Sequence, residues 1–155
     1  MAFARKAFAG LTTIAAGLGL VLTTTGTAAA AETGSWHPYG NTNPITSSSA
    51  TWHCAGSKTV ATSVAAQVCA IRSVGGGAVQ AAVIVRNNRT ALFSVDASAD
   101  LYTSSGTALG VWTCASSGVA ANSWSVCFGR TLAQSSPVNS MGFAKGVALG
   151  TSPNV

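Results

Sequence analysis

The chain has 155 residues, of which only 7% are charged: eight are basic and three acidic, giving a formal net charge of +5. This length predicts one folded domain. Low charge with abundant Ala, Gly, Ser, Thr and Val is not the composition of a disordered tail, and so few, scattered cations argue against a nucleic-acid groove.

The first thirty residues have the pattern of a secretory signal peptide. Arg5 and Lys6 precede an apolar run, and Ala28-Ala29-Ala30 supplies the small residues that signal peptidase reads. The run of about a dozen residues is shorter than the roughly twenty that span a bilayer, which argues against the alternative of a retained membrane anchor. We therefore predict that 1–30 is a signal peptide cleaved after Ala30 or Ala31, that the protein is secreted and extracellular, and that it has no stable membrane insertion afterwards. Loss of two of the eight basic residues leaves six against three acids, a mature net charge of about +3.

All four cysteines lie in a motif that occurs twice, W-x-C-A-x-S followed by V-C-x-x-R. In an exported chain four cysteines predict two disulfides. A zinc site is the competing interpretation, but C-x-x-C pairs and finger-like histidine spacing are missing from the sequence. We predict no metal and no cofactor. Three pairings are possible, and the duplication favours Cys54 with Cys69 and Cys114 with Cys127.

Residues 31–50 contain Pro38, Pro44 and a serine run, which predicts an irregular N-terminal arm. Within it, the aromatic cluster Trp36-His37-Pro38-Tyr39 is either an exposed contact loop or an arm folded over an open edge of the core.

The first motif copy is compatible with a helix or with strands, because Val60, Val64 and Val68 recur every four residues while alternate positions are also apolar or Thr. The equivalent stretch of the second copy, 118–124, is shorter and carries Gly and Asn, which disfavours a helix. We therefore predict a hairpin in both copies.

Beyond the first copy, a β-forming segment at 78–86 precedes an Asn87-Asn88 turn and a return strand at 91–97. Further short strands follow up to 141–149, and 151–155 is predicted to be a loose C-terminus. Seven or eight short strands with Gly, Asn and Ser turns predict an all-β fold, an antiparallel β-sandwich over 51–150. The repeat suggests two pseudo-symmetric halves, each a hairpin plus a third strand, with Trp52 and Trp112 in the core beside the disulfides.

Few side chains can carry acid–base chemistry. Beyond the predicted signal peptide the acids are Glu32, Asp96 and Asp100, and the histidines are His37 and His53. A serine hydrolase would need a nucleophile elbow, and no G-x-S-x-G is present. Asp96 and Asp100 lie four residues apart across a predicted bend, where ordinary turn chemistry explains them better than glycoside hydrolysis does. We therefore predict no catalytic residues, and surface contacts are the remaining candidates, namely Trp36, Tyr39, Arg86 and Arg89.

The motifs T-W-H-C, V-C-A-I-R, V-W-T-C and S-V-C-F-G-R are similar to those of small secreted β-rich proteins of actinobacteria, which have two disulfides and no assigned activity. The resemblance implies an extracellular β protein and transfers no functional residue. We predict a non-enzymatic extracellular binding or envelope-associated module, whose partner is an extracellular protein or a cell-wall component and not a nucleic acid. The alternative is an inhibitor of a secreted hydrolase, although the W-R-Y tripeptide of bacterial α-amylase inhibitors is missing from the sequence. A small secreted hydrolase is the third hypothesis.

Overall fold

The computed structural model of the chain describes residues 30–155, so the predicted signal peptide lies outside the described residues except for Ala30. The described chain consists of β-strands and loops. Its strands are β1 (Glu32–Thr33), β2 (Ser35–Gly40), β3 (Thr51–Cys54), β4 (Lys58–Ala61), β5 (Val64–Arg72), β6 (Ala78–Asn87), β7 (Phe93–Thr103), β8 (Ala108–Val119), β9 (Ser123–Phe128), β10 (Leu132–Ala133), β11 (Val138–Ala144) and β12 (Val147–Thr151).

These strands form two packed sheets, so the predicted all-β sandwich is confirmed. The front sheet has the order β1-β8-β7-β11-β12, and the back sheet has the order β2-β9-β6-β5-β3, with β4 added to β5 and β10 to β6. Most neighbouring strands are antiparallel, but β1 runs parallel to β8. The sandwich therefore extends from residue 32 to residue 155, beyond the predicted limits of 51 and 150.

The core lies between the sheets and is built from small apolar side chains. Strand β7 alternates strictly, with Phe93 and every second residue up to Leu101 buried, as one face of a half-exposed sheet requires. Its inward partners on the back sheet are the alternating Val and Ala residues of β5 and β6. Trp112 is the largest fully buried side chain. Its ring lies so close to Gly110 and Gly129 that a Cβ there would come within 2.4 and 2.5 Å of it.

Both disulfides have the pairing that the duplication favours. Cys54 bonds Cys69, with the two Cα atoms 4.0 Å apart, and Cys114 bonds Cys127, with Cα atoms 6.0 Å apart. Two disulfides fit an oxidising, extracellular type of environment.

The first motif copy is strand structure, as predicted. Strand β5 pairs with β4 and then with β3, and Cys54 faces Cys69 directly across the ladder. This disulfide therefore joins neighbouring strands of one sheet.

The prediction of a second hairpin is wrong, because β8 belongs to the front sheet and β9 to the back sheet. The corner between them is held by Asn87, whose buried Nδ2 donates to the carbonyl oxygens of Ala91, Val119 and Ala120. These bonds satisfy backbone carbonyls at the point where the chain leaves the front sheet. Asn122, at φ 48°, then reverses the chain into β9. Cys114–Cys127 consequently crosses between the sheets, and the two halves are not pseudo-symmetric.

The interpretation of 31–50 as an irregular arm is wrong for its first part, since 32–33 and 35–40 are strands. Pro38 is compatible with β2 because β2 is an edge strand. Between β1 and β2 the chain passes from the front to the back sheet at Gly34, over the Cys114–Cys127 disulfide. Residues 41–50 form an irregular loop, here called the strap, which crosses the outer face of the back sheet from β2 to β3.

The predicted loose C-terminus is also wrong. Val155 and Val138 exchange two backbone hydrogen bonds of 2.9 and 3.2 Å, and Ser152 is buried with its hydroxyl accepting from the Ser140 amide. Arg72 donates to the Val155 carbonyl oxygen at 2.9 Å. The last residues therefore close one side of the sandwich.

Candidate functional site

Trp36 and Tyr39, which the sequence suggested as contacts, point to opposite sides of β2. The Trp36 indole N–H donates to the Ala115 carbonyl oxygen at 2.8 Å, which ties the back sheet to the front sheet. Tyr39 packs against the apolar cluster on the outer face of the back sheet. Both side chains are half-buried, so each contributes to the packing of the sandwich.

Arg86 and Arg89, the other two candidate contacts, have different surroundings. The Arg86 guanidinium donates to Asn88, Asn41 and the Asn122 carbonyl at 2.7–2.9 Å and lies over the Trp124 ring at 5.2 Å. These contacts join three loops at one end of the molecule. The exposed Arg89 lies over Phe93 at 5.6 Å.

The outer face of the back sheet is apolar but covered. Ile84 and Val126 are at most 1% exposed there, because the strap and a ring of aromatic side chains lie over them. Phe128 meets both His37 and Trp52 edge-on, with ring centroids 5.5 and 5.9 Å apart. Trp52 is thus half-buried in this outer cluster and not in the core between the sheets, where Trp112 lies as predicted. Because these rings pack on one another, the outer cluster is a second small core.

The outer face of the front sheet is open and carries the best candidate site. A groove of about 490 Å³ lies across it, within the range of small-ligand sites. Its lining contains the side chains of Thr33, Thr113, Ser98, Asp96 and Phe143. They come from four different strands and are brought together by the strand order of the sheet.

Four of these side chains form one row across the sheet, because they occupy matching register positions. Thr33 pairs with Thr113, Thr113 with Ser98, and Ser98 with Phe143. Adjacent strands lie about 4.8 Å apart, so the row is about 14 Å long. Three hydroxyls therefore lead to one aromatic ring along the groove.

The polar groups of the groove are free to bind a ligand. Within residues 30–155, no hydrogen bond joins the hydroxyls of Thr33, Thr113 and Ser98 or the Asp96 carboxylate to another part of the chain. Buried polar side chains elsewhere, such as Asn87, have several partners. The groove thus brings together exposed donors and acceptors that have no internal bonds.

Two large apolar side chains of this face are exposed. Phe143 is 47% exposed and Met141 is 42% exposed, both projecting outward from β11. The inward positions of the same strand hold the small residues Ser140, Gly142 and Ala144. A Cβ on Gly142 would lie 3.0 Å from Val68 and 3.1 Å from Val83, so the inward space is filled by the opposite sheet. Large apolar side chains therefore face solvent where polar ones would suffice.

Asp96 and Asp100 lie on this same face. They are four residues apart on one continuous strand, about 13 Å at 3.3 Å per residue, and not across a bend as predicted. Burial raises the pKa of Asp100, an effect partly offset by a hydrogen bond of 3.3 Å from the Tyr102 hydroxyl. Burial and the neighbouring Asp100 carboxylate raise the pKa of Tyr102. The spacing is too wide for the paired carboxylates of a glycosidase.

The structure does not bring the histidines to these acids. His37 lies on the outer face of the back sheet against Phe128, with both sheets between it and Asp96. His53 lies on β3 at the edge of the back sheet, where its Nδ1 contacts the Asn154 carbonyl oxygen. The histidine–aspartate arrangement that a hydrolase hypothesis requires is therefore not formed in residues 30–155.

No protein-family model matches the chain, and no curated protein is significantly similar to it in sequence. Across the described residues there is no helix long and apolar enough to cross a membrane. The same part of the chain contains no group of three or more His, Cys, Asp or Glu side chains placed to hold a metal ion.

The groove was not predicted from the sequence, although one signal for it is visible in β11. In Asn139-Ser140-Met141-Gly142-Phe143-Ala144 the large apolar residues alternate with Ser, Gly and Ala. The usual assignment places the large residues inward. Gly142 indicates the reverse, because a glycine allows close packing against another sheet. With Gly142 facing inward, Met141 and Phe143 face outward.

Proposed function

We propose that the protein is a secreted, non-enzymatic binding module that holds an extracellular or cell-envelope ligand in the groove of its front sheet. The single observation that carries the proposal is the orientation of β11, which turns Phe143 and Met141 outward beside polar groups that have no internal partners. Exposed apolar surface of this kind is a mark of ligand or partner sites.

The rigidity of the site supports the same proposal. The groove floor includes Cys114, and its disulfide to Cys127 fixes the front sheet to the back sheet beneath the lining side chains. A site held on strands loses little conformational freedom when a ligand binds, so its few contacts are used efficiently.

Two features of the chain, its predicted signal peptide and its disulfides, support the extracellular part of the proposal. The predicted signal peptide directs the chain out of the cell, and two disulfides fit the oxidising environment outside it.

Phe143→Ala tests the site. Purified protein beginning at residue 31 is mixed with isolated cell walls, chitin, cellulose and secreted proteins, and the bound fraction is measured by sedimentation. We expect wild-type protein to be retained by at least one of these and Phe143→Ala to be retained about tenfold less. Thermal unfolding should be almost unchanged, because the replaced ring is half exposed.

Val74→Ala is the matched control, since Val74 is 75% exposed at the β5–β6 turn of the back sheet. It should be retained like wild type. Equal loss in both variants, or no retention of wild type by any material, would contradict the proposal. Stoichiometric inhibition of a secreted amylase or protease in place of retention would favour the inhibitor hypothesis.

A further inference from the structure

We infer that the groove binds a carbohydrate chain that carries free amino groups. The inference rests on the proposed function and names the ligand class of the same groove. It depends on three features of the face: the row of hydroxyls, the exposed aromatic ring and the unpaired carboxylate.

The hydroxyl row matches a sugar chain in its hydrogen-bonding capacity. Each hydroxyl both donates and accepts, so Thr33, Thr113 and Ser98 can each meet a sugar hydroxyl in either orientation. The Phe143 ring lies at the end of the row, exposed to solvent on one side. The flat, C–H-lined face of a pyranose packs against such a ring while the sugar's hydroxyls remain at its edge. A row of about 14 Å is longer than one sugar ring, which indicates an oligosaccharide.

An extended peptide fits this face less well. Peptides that bind β-proteins commonly add a strand at a sheet edge, where free backbone groups form the ladder. The groove lies over the face of β7, whose backbone groups already pair with β8 on one side and β11 on the other. A peptide backbone would find side-chain hydroxyls there but no ladder partner.

The charge of the face selects an amino sugar over a neutral or acidic one. Of the three carboxylates in the chain, Glu32 pairs with Arg130 at 3.2 Å, and the other two lie on this face. No side-chain cation lies within ion-pair distance of Asp96 or Asp100 in residues 30–155. Lys145 approaches Asp96 through its backbone amide, but its ammonium lies over the Phe93 ring at 5.8 Å. An ammonium group on the sugar would therefore be the counter-ion of Asp96.

The binding experiment compares three probes: a glucosamine oligomer with free amino groups, its fully N-acetylated counterpart, and an oligolysine of similar length. Affinity is measured calorimetrically at pH 6 and low salt. We expect the glucosamine oligomer to bind best. Phe143→Ala should weaken its binding about tenfold, and Phe143→Tyr should leave it almost unchanged. Asp96→Asn should weaken it about threefold, the effect of one exposed ion pair, and should not change binding of the acetylated oligomer.

Added salt should remove the effect of Asp96→Asn on binding and leave the effect of Phe143→Ala, because screening acts on the charge pair alone.

Tighter binding of the acetylated oligomer, or no response to Asp96→Asn, would overturn the selection of an amino sugar. Tight binding of oligolysine that Phe143→Ala does not reduce would overturn the carbohydrate class in favour of a cationic peptide. If neither sugar binds while retention on cell walls still depends on Phe143, the ligand class is wrong and the proposed function stands. If neither sugar binds and wild-type protein is not retained on cell walls either, both the ligand class and the proposed function are wrong.

Discussion

Arg72 and Arg130 end the two motif copies, yet their surroundings differ completely. The Arg72 guanidinium donates to the carbonyl oxygens of Gly76, Gln134, Ser136 and Val155 at 2.7–2.9 Å. It therefore connects three segments that are distant in the chain. Arg130 makes a single exposed ion pair with Glu32. Arginines at equivalent motif positions therefore have different structural roles.

The pair provides a matched test. We expect Arg72→Lys to lower the free energy of unfolding by about 2–3 kcal/mol, because a compact ammonium cannot reproduce the planar fork that reaches four carbonyls. Arg130→Lys should change it by less than about 0.5 kcal/mol, as is usual for exposed pairs. Urea denaturation of both variants measures the difference, and equal losses would show that the carbonyl contacts contribute little.

Gly34 is required where the chain passes from the front to the back sheet. A Cβ there would lie 2.7 Å from the Cys114 sulfur and 2.9 Å from the Phe128 carbonyl oxygen. We expect Gly34→Ala to lower the free energy of unfolding by about 1–3 kcal/mol through overpacking. Gly56→Ala is the control, because its Cβ would meet nothing within 4 Å, and it should be neutral or slightly stabilising. Similar effects in both variants would rule out steric crowding at Gly34 as the cause.

Asp100 makes stability depend on pH. Because burial raises its pKa in the folded state, the native protein holds this proton more tightly than the unfolded chain does. Its contribution to stability is therefore greatest at low pH and falls as the pH rises from the unfolded to the folded pKa. Asn cannot ionise and still accepts a hydrogen bond from Tyr102. Thermal unfolding of Asp100→Asn should match wild type near pH 3 and become relatively more stable up to a plateau near neutrality. An advantage that is the same at every pH would contradict this assignment.

Which residues are buried could be predicted better than what they contact. The cysteine pairing followed from the duplication, whereas Trp52 and Trp112 were both predicted in the core and Trp112 alone of the two lies there. The contacts of Arg72 could not be anticipated, because all four of its carbonyl partners lie in irregular segments or beyond the last strand. Hydrogen bonds of this kind depend on how loops are placed, which hydrophobic periodicity does not encode.

At the scale of elements, the two disulfides differ in what they join. Cys54–Cys69 links adjacent strands of one sheet, whereas Cys114–Cys127 links the two sheets. Their sequence separations, 15 and 13 residues, are almost equal, so the chain-entropy contribution should be about 3 kcal/mol for each.

We expect the double variant Cys114→Ala/Cys127→Ala to lose more stability than Cys54→Ala/Cys69→Ala, by about 1–2 kcal/mol. Both sulfurs of the inter-sheet bond are in the core, and their removal leaves a cavity as well as a freer chain. Cys54, in contrast, is only partly buried. Guanidinium denaturation of the two variants measures the difference. An equal or larger loss of stability in Cys54→Ala/Cys69→Ala would contradict this prediction.

The failed hairpin prediction shows why similar motifs can follow different paths. Both copies present tryptophan, cysteine and arginine at similar spacing, but β5 returns beside β3 whereas β9 leaves the sheet of β8. Asn87, which lies outside both copies, binds the carbonyls of the corner in the second copy. Local patterning predicted the strands but not which sheet each strand joins.

At the scale of the whole molecule, the fold class could be predicted and the groove could not. Alternating apolar residues and turn formers are local signals, so an all-β sandwich follows from them. The groove takes Thr33, Ser98, Thr113 and Phe143 from four strands whose order in the sheet is not their order in the chain. Without that order, no pattern in the sequence places these residues in one row.

The placement of β1 and β2 also has a kinetic consequence. Among the described residues, these two strands pair only with 112–113 and 124–128, so within that part of the chain they have no ladder partner until its last third is available. Closing such long loops is slow, and folding rates fall as contacts become more distant in sequence. The β5–β6 ladder, in contrast, can form locally. In pulse-labelled refolding, we expect the amides of β1 and β2 to gain hydrogen-exchange protection last.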